Sequence, residues 1–181
     1  MSKSILIAGG AASGKSRWAV TYFAPCDYVL YLRVADELDP DTMGRIEYSN
    51  NQYGVEWDIL TGVYKEPWER IGDHKFVIFD GLSSYTASVI REMCPDPDKM
   101  DNDMKKSIEK KIIADINLMR DRIEELAGSM IVITLDTGFS AIPTEREQAT
   151  FREILGRVNQ RIANTSHEVY FSASGIQFQI K

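Results

Sequence analysis

One run constrains this chain more than any other: Gly9-Gly10-Ala11-Ala12-Ser13-Gly14-Lys15-Ser16. It satisfies every fixed position of the phosphate-binding pattern G-x-x-x-x-G-K-[ST]. The flanks agree. Ile5-Leu6-Ile7-Ala8 is a short apolar run of the kind that forms a buried parallel strand. Ser16-Arg17-Trp18-Ala19-Val20 opens a helical stretch. Strand, glycine-rich turn and helix together make a phosphate cradle. Glycines let successive backbone N–H groups converge on phosphate oxygens, and the helix N-terminus adds the positive end of its dipole. In such a loop the lysine reaches the β- and γ-phosphates and the hydroxyl is a ligand for Mg2+. The expected phosphate-binding residues are therefore Gly9, Gly10, Ala11, Ala12, Ser13, Gly14, Lys15, Ser16 and Arg17, with Lys15 catalytic and Ser16 a metal ligand.

The rest of the chain alternates strand and helix signals. Strands are predicted at Tyr28–Leu32, Val55–Ile59, Phe76–Phe79, Met130–Thr134, Val169–Ala173 and Gln177–Ile180, the last two joined by a turn at Gly175. Helices are predicted over Asp41–Asn50, Leu82–Met93, Met104–Ala127 and Glu147–Thr165, with Gly128 closing the long third one. In that helix Ile108, Ile112, Ile116, Met119 and Ile123 recur at intervals of three and four, an apolar stripe for the core. Cys94–Asp103 and Gly138–Glu145 read as loops. The fold class is α/β, P-loop NTPase-like, with a mainly parallel sheet flanked by helices. Residues 1–181 are long enough for one nucleotide-binding domain with a sizeable core.

An apolar strand ending in Asp80 fits a second part of the same chemistry. A carboxylate at the end of a strand beside the phosphate-loop strand can hold Mg2+ directly or through water, so Asp80 is a candidate catalytic and metal-binding residue. Asp136 also follows a buried strand, and is either a second carboxylate near the phosphates or a turn cap. Arg33, Val34 and Ala35 follow the second strand and are candidate nucleotide-binding residues. Arg17, Arg45, Arg146, Arg157 and Arg161 are further cations that could meet phosphate. Composition removes other classes. The net charge of −6 argues against a nucleic-acid surface. No apolar run is long enough to span a bilayer. No signal peptide precedes the first strand, which points to the cytoplasm. Cys26 and Cys94 lack metal spacing, and His74 and His167 are expected at the surface.

With these residues in place, the chain resembles the bifunctional adenosylcobinamide kinase / adenosylcobinamide-phosphate guanylyltransferase family of cobalamin biosynthesis. The likeness runs nearly end to end. It includes the loop through Arg17, then Tyr31-Leu32, Asp39-Pro40-Asp41, Arg45-Ile46, Trp57 and Asp80. It continues through Gly138, Ile142-Pro143, Arg146, Phe151-Arg152, Glu168-Val169 and Ser174-Gly175-Ile176. The most specific stretch is Gly156-Arg157-Val158-Asn159-Gln160-Arg161-Ile162-Ala163. The resemblance implies use of ATP or GTP with Mg2+, a small-molecule acceptor of corrinoid type, and phosphorylation of a side-chain hydroxyl. It also implies a homo-oligomer in which a neighbour's segment Asp41–Asn51 helps complete the site. The family's second reaction passes GMP through a histidine shortly after the Arg-Ile pair. Here that segment reads Glu47-Tyr48-Ser49-Asn50-Asn51, with Ser49 at the matching position and Tyr48 before it. A neutral imidazole is a competent nucleophile near neutral pH, whereas a serine hydroxyl needs a strong base beside it. Thr61 stands where the family carries a glutamate for the nucleotide base and sugar, and Leu135-Asp136 where it carries Asn-Glu. The expectation is an adenosylcobinamide kinase-like phosphotransferase, its kinase activity retained or repurposed, in which guanylyl transfer through the usual histidine is absent. The same residues also fit a non-catalytic nucleotide-binding regulator, or an NTPase whose acceptor is water.

Overall fold

The computed structural model describes residues 2–138 and 143–181. Its strands are β1 (Lys3–Gly9), β2 (Val29–Arg33), β3 (Trp57–Leu60), β4 (Phe76–Asp80), β5 (Ser129–Leu135), β6 (Glu168–Ala173) and β7 (Ile176–Gln179). They form one sheet in the order β3-β2-β4-β5-β1-β6-β7. Every neighbouring pair is parallel except the β6–β7 hairpin. The helices are α1 (Lys15–Phe23), α2 (Pro40–Tyr53), α3 (Leu82–Met93), α4 (Asn102–Glu125) and α5 (Arg146–Thr165). The fold is α/β, P-loop NTPase-like, with a mainly parallel sheet, as the sequence predicts.

The central strands are continuous apolar runs because both faces of the sheet are covered. Ile5, Ile7, Ile78, Ile131 and Ile133 pack with Ala19, Val20 and Phe23 of α1. The alternate residues Leu6, Val77, Phe79, Met130 and Val132 face the layer of α3, α4 and α5. The α4 stripe from Ile108 to Ile123 is buried in that layer. Each such side chain contributes roughly 1.5–3 kcal/mol through burial.

Several local expectations change. The α4 helix starts at Asn102, not Met104, because the Asp101 carboxylate accepts from Met104 N at 2.7 Å and caps it. Gly128 does not take the left-handed turn after α4; Ala127 does, at φ 52°. Glycine is needed at 128 for a close approach, since a Cβ there would lie 2.0 Å from Lys75 O. β3 begins at Trp57 because Val55 N is used at the end of α2, donating to Asn50 O at 3.1 Å. His74 is not a surface residue. It is 9% exposed, stacks on Tyr28 at 4.2 Å, and places Nε2 2.7 Å from an Asp58 carboxylate oxygen. His167 is exposed, and its Nδ1 accepts from Ser4 N at 3.0 Å. Of the loop expected over 138–145, residues 139–142, including Ile142, lie outside the described residues.

Candidate active site

Because the strands are parallel, the carboxyl ends of β1, β2, β4, β5 and β6 gather on one edge, where ligands of open α/β sheets bind. The phosphate loop connects β1 to α1 there. Ala12 and Gly14 take positive φ, 53° and 96°, which curls the loop so that its N–H groups can face inward. Gly9 is required by a close approach: a Cβ would lie 2.3 Å from Ser172 O. The β6–β7 hairpin buttresses the loop. Ser172 Oγ donates to Ser13 O at 2.6 Å, Gly175 N donates to the same carbonyl at 3.0 Å, and Gln177 Nε2 holds Ser172 Oγ at 3.1 Å. Lys15 Nζ sits within this curve. It donates to Gly9 O at 3.0 Å and to Gly10 O, and lies 3.3 Å from Ser13 Oγ. Burial pulls the Lys15 ammonium below its ordinary pKa, and the charge of Asp80 opposes that shift.

Asp80 closes β4, but β4 is not beside β1. The strand β5 lies between them. Asp80 still reaches the loop, because its side chain crosses the end of the sheet. The carboxylate is 3% exposed, and three groups converge on its Oδ2: Tyr31 Oη at 2.5 Å, Arg33 Nη1 at 2.8 Å and Ser16 Oγ at 3.4 Å. Register accounts for the second contact, since Arg33 is paired with Asp80 across β2 and β4. Burial, then the neighbouring Asp80 charge, holds the Tyr31 phenol well above its usual pKa, so it remains a proton donor. Arg33 Nε is buried with no protein partner among the described residues, leaving donor capacity at this edge.

A cleft of about 720 Å3 opens beside the loop. It is lined by Gly10–Ser13 of the loop, by Leu135–Thr137 at the end of β5 and by Phe171–Ser174 at the end of β6, the strands on either side of β1. Of the two readings of Asp136, the turn cap is seen directly. Its Oδ1 caps the turn by accepting from Gly138 N at 2.7 Å, and it lines the cleft beside the phosphate loop. The end of β5 is held by α5: Asn159 Nδ2 donates to Leu135 O at 3.0 Å and Thr134 Oγ1 donates to Asn159 Oδ1 at 2.8 Å. The asparagine of the Gly156–Ala163 run is therefore a positioning residue for this strand end.

A model of the cobinamide kinase / cobinamide phosphate guanyltransferase family matches residues 5–180. The chain belongs to that family. Its similarity to curated members runs over their whole length. It is 27% identical to the bifunctional adenosylcobalamin biosynthesis protein CobU of Escherichia coli (strain K12), over 98% of this chain and 99% of that one. It is 26% identical to CobU of Salmonella typhimurium, again over 98% and 99%. It is 24% identical to the bifunctional protein CobP of Pseudomonas aeruginosa, over 97% and 96%. The KaiC-like protein PH0186 of Pyrococcus horikoshii OT3 overlays with a TM-score of 0.49 at 13% identity, covering 93% of this chain and 70% of that one. Membership makes the chain a nucleoside-triphosphate-dependent enzyme of cobalamin biosynthesis.

The other residues predicted from sequence and from the family are placed as follows. Arg17 is exposed at the start of α1 and lines a groove of about 470 Å3 between α1 and α2, with Arg45, Tyr48 and Ser49. In that groove Tyr48 is 70% exposed, whereas Ser49 is 5% exposed on the inner side of α2. Arg45 pairs with Asp41 one turn earlier, at 3.0 Å. Val34 does not present its side chain to a nucleotide; it is buried against Gly81, and only its N–H is used, donating to Asp80 O at 2.9 Å. Ala35 O accepts from Gly62 N, tying the end of β2 to the loop after β3. Thr61 lies in that loop, exposed, on a separate shallow cavity with Tyr64 and Lys65. Arg146 contacts Asp98 and Met100 O, and Arg157 pairs with Glu109 and Glu153 on the α4–α5 side, so neither meets the loop. Arg161 lines the α4–α5 groove with Arg157. Sequence reasoning passed over Ser172, Gln177 and the roles of Tyr31 and Asn159. Tyr31 and Asn159 had a signal: each is a hydrogen-bonding side chain in a segment matching the family.

Proposed function

We propose that this chain transfers the terminal phosphoryl group of ATP or GTP to the side-chain hydroxyl of adenosylcobinamide, as a single cytoplasmic nucleotide-binding domain that works within a homo-oligomer. The observation that carries the reading is the convergence of Ser16 Oγ, Tyr31 Oη and Arg33 Nη1 on Asp80 Oδ2, next to a phosphate loop complete through Lys15. Lys15 and the loop N–H groups bind the β- and γ-phosphates and neutralise charge that develops on them. Tyr31 and Arg33 fix the rotamer of Asp80. Ser16 and Asp80 offer oxygen atoms 3.4 Å apart, a donor set that suits Mg2+, which takes one or two protein oxygens and completes its shell with phosphate and water. When bound, the cation would supply further neutralisation of the transferred group.

Guanylyl transfer through a histidine on α2 is outside this function. Residues 41–53 contain none, the Ser49 hydroxyl is buried, and no base is hydrogen-bonded to Ser49 among the described residues. The test is turnover of adenosylcobinamide with γ-labelled ATP and GTP by the wild type and by Lys15→Ala. Label in the corrinoid product with the wild type and not the variant is expected. No labelled corrinoid from the wild type overturns the assignment.

A further inference from the structure

The kinase reading leaves open which group takes the proton of the attacking hydroxyl. We propose that the cleft between Gly10–Ser13 and Leu135–Thr137 seats the phosphoryl acceptor, and that Asp136 is the general base for its hydroxyl. The inference rests on the kinase reading. It stands on one atom, Gly9 O. That carbonyl accepts from Lys15 Nζ at 3.0 Å and from Asp136 N at 3.1 Å. Lysine in a phosphate loop marks the terminal phosphates, because its ammonium is what reaches them. Asp136 is thus anchored by its own backbone at the terminal-phosphate end of the loop, and the inner phosphates lie toward Ser16 and α1. The cleft opens from this end: its wall begins at Gly10 and includes Asp136. A nucleophile must approach the terminal phosphorus opposite the bond that breaks, so an acceptor in the cleft is placed for in-line attack.

The lining fits an organic acceptor with a mixed surface. Leu135, Phe171 and Ala173 offer apolar contact, and Asp136, Thr137 and Ser174 offer polar groups. At about 720 Å3 the cleft holds the hydroxyl-bearing arm of a large molecule whose bulk remains outside. The position of the carboxylate is fixed twice over. Its Oδ1 is held by Gly138 N, and the strand before it is held by Asn159. Asp80 is poorly placed for the same task, because Tyr31 and Arg33 already direct protons at its Oδ2. In the step itself, the acceptor oxygen forms a bond to the γ-phosphorus as its proton passes to the Asp136 carboxylate. The bond from that phosphorus to the β-phosphate oxygen breaks, and the electron pair leaves with the nucleoside diphosphate. The proton then passes to water.

The test is Asp136→Asn, which keeps an oxygen to cap Gly138 N and removes the base. With adenosylcobinamide and saturating nucleotide, kcat should fall on the order of 100-fold or more. The melting temperature and the nucleotide KM should stay within a factor or a degree or two of the wild type. Asp136→Glu should recover part of kcat, and added formate should restore turnover to Asp136→Ala, which a turn-capping role does not allow. Asn retaining more than half of the wild-type kcat overturns the proposal and leaves Asp136 as a turn cap. A rise in nucleotide KM with kcat unchanged overturns it in favour of a nucleoside in the cleft. Failure of the wild type to phosphorylate the acceptor defeats the kinase reading instead, so the two failures are distinguishable.

Discussion

The phosphate-loop edge and the outer face of α2 are both polar, and they are built differently. Around Asp80 the polar groups are buried or half-buried, and three of them, Ser16 Oγ, Tyr31 Oη and Arg33 Nη1, meet on one carboxylate oxygen from elements far apart in sequence. On α2 the polar atoms satisfy themselves within the helix, as in the Arg45–Asp41 pair, or face solvent, as Tyr48 does. A group held by partners from several strands has its geometry fixed before any ligand arrives, and preorganisation is where electrostatic catalysis gets its strength. A solvated helix face has no such constraint. The contrast supports the proposed placement of phosphoryl transfer at the sheet edge.

Four substitutions probe that contrast. The largest effect is expected from Lys15→Ala, which removes the one ammonium inside the loop: kcat for corrinoid phosphorylation should drop by at least about 100-fold. Next is Asp80→Asn. It deprives Arg33 of its counter-charge in a site where Asp80 is 3% exposed. Breaking a buried pair costs up to about 3–5 kcal/mol, and the partial exposure of Arg33 reduces that to about 1–3 kcal/mol. Calorimetry should show the loss, and the Mg2+ needed for half-maximal rate should rise about tenfold. Third, Tyr31→Phe deletes a single hydroxyl that donates to a buried charge. A loss of about 1.5–3 kcal/mol is expected, read as a melting temperature lower by roughly 4–10 °C, with a smaller fall in kcat. The smallest effect is Arg45→Ala on α2. An exposed pair of this spacing is worth about 0.3–0.5 kcal/mol, so the melting curve and the kinase rate should barely move. A fall in kinase rate on the scale of Tyr31→Phe would put α2 in the phosphoryl-transfer machinery and erase the distinction. The same conclusion about guanylylation is checked with α-labelled GTP, which should leave no acid-labile adduct on the protein.

The parts legible in the sequence were those governed by local rules. The phosphate loop is a local backbone device with fixed residue types, so the strand–loop–helix turn from Gly9 to Ser16 is legible directly. The apolar runs of β1, β4 and β5 and the stripe of α4 follow from burial on two faces or one. What escaped depends on strand order, which no local pattern encodes. The expectation that Asp80 sits on the strand beside the loop failed because β5 inserts between β4 and β1. The Tyr31 and Arg33 contacts exist only because β2 pairs with β4 in a register that sets Arg33 against Asp80. His74 is expected at the surface from sequence, yet Tyr28 and Asp58 from two other strand regions enclose it. Val34 stands in a candidate nucleotide-binding run, but just past β2 its side chain is buried against Gly81, a contact that depends on β4 lying beside β2.

The strand order also governs when the site can come into being. β1 is the earliest strand in the chain, yet both of its neighbours, β5 and β6, lie more than a hundred residues later. The phosphate loop is complete as a peptide from the first few residues, but Ser172 and Gly175 must arrive before Ser13 O has its partners. Such long-range pairing slows folding, because the intervening chain must be closed before any contact rewards it. The most recognisable motif of the chain is therefore among the last parts to gain its full set of contacts, because Ser13 O has these partners only once the β6–β7 hairpin has docked.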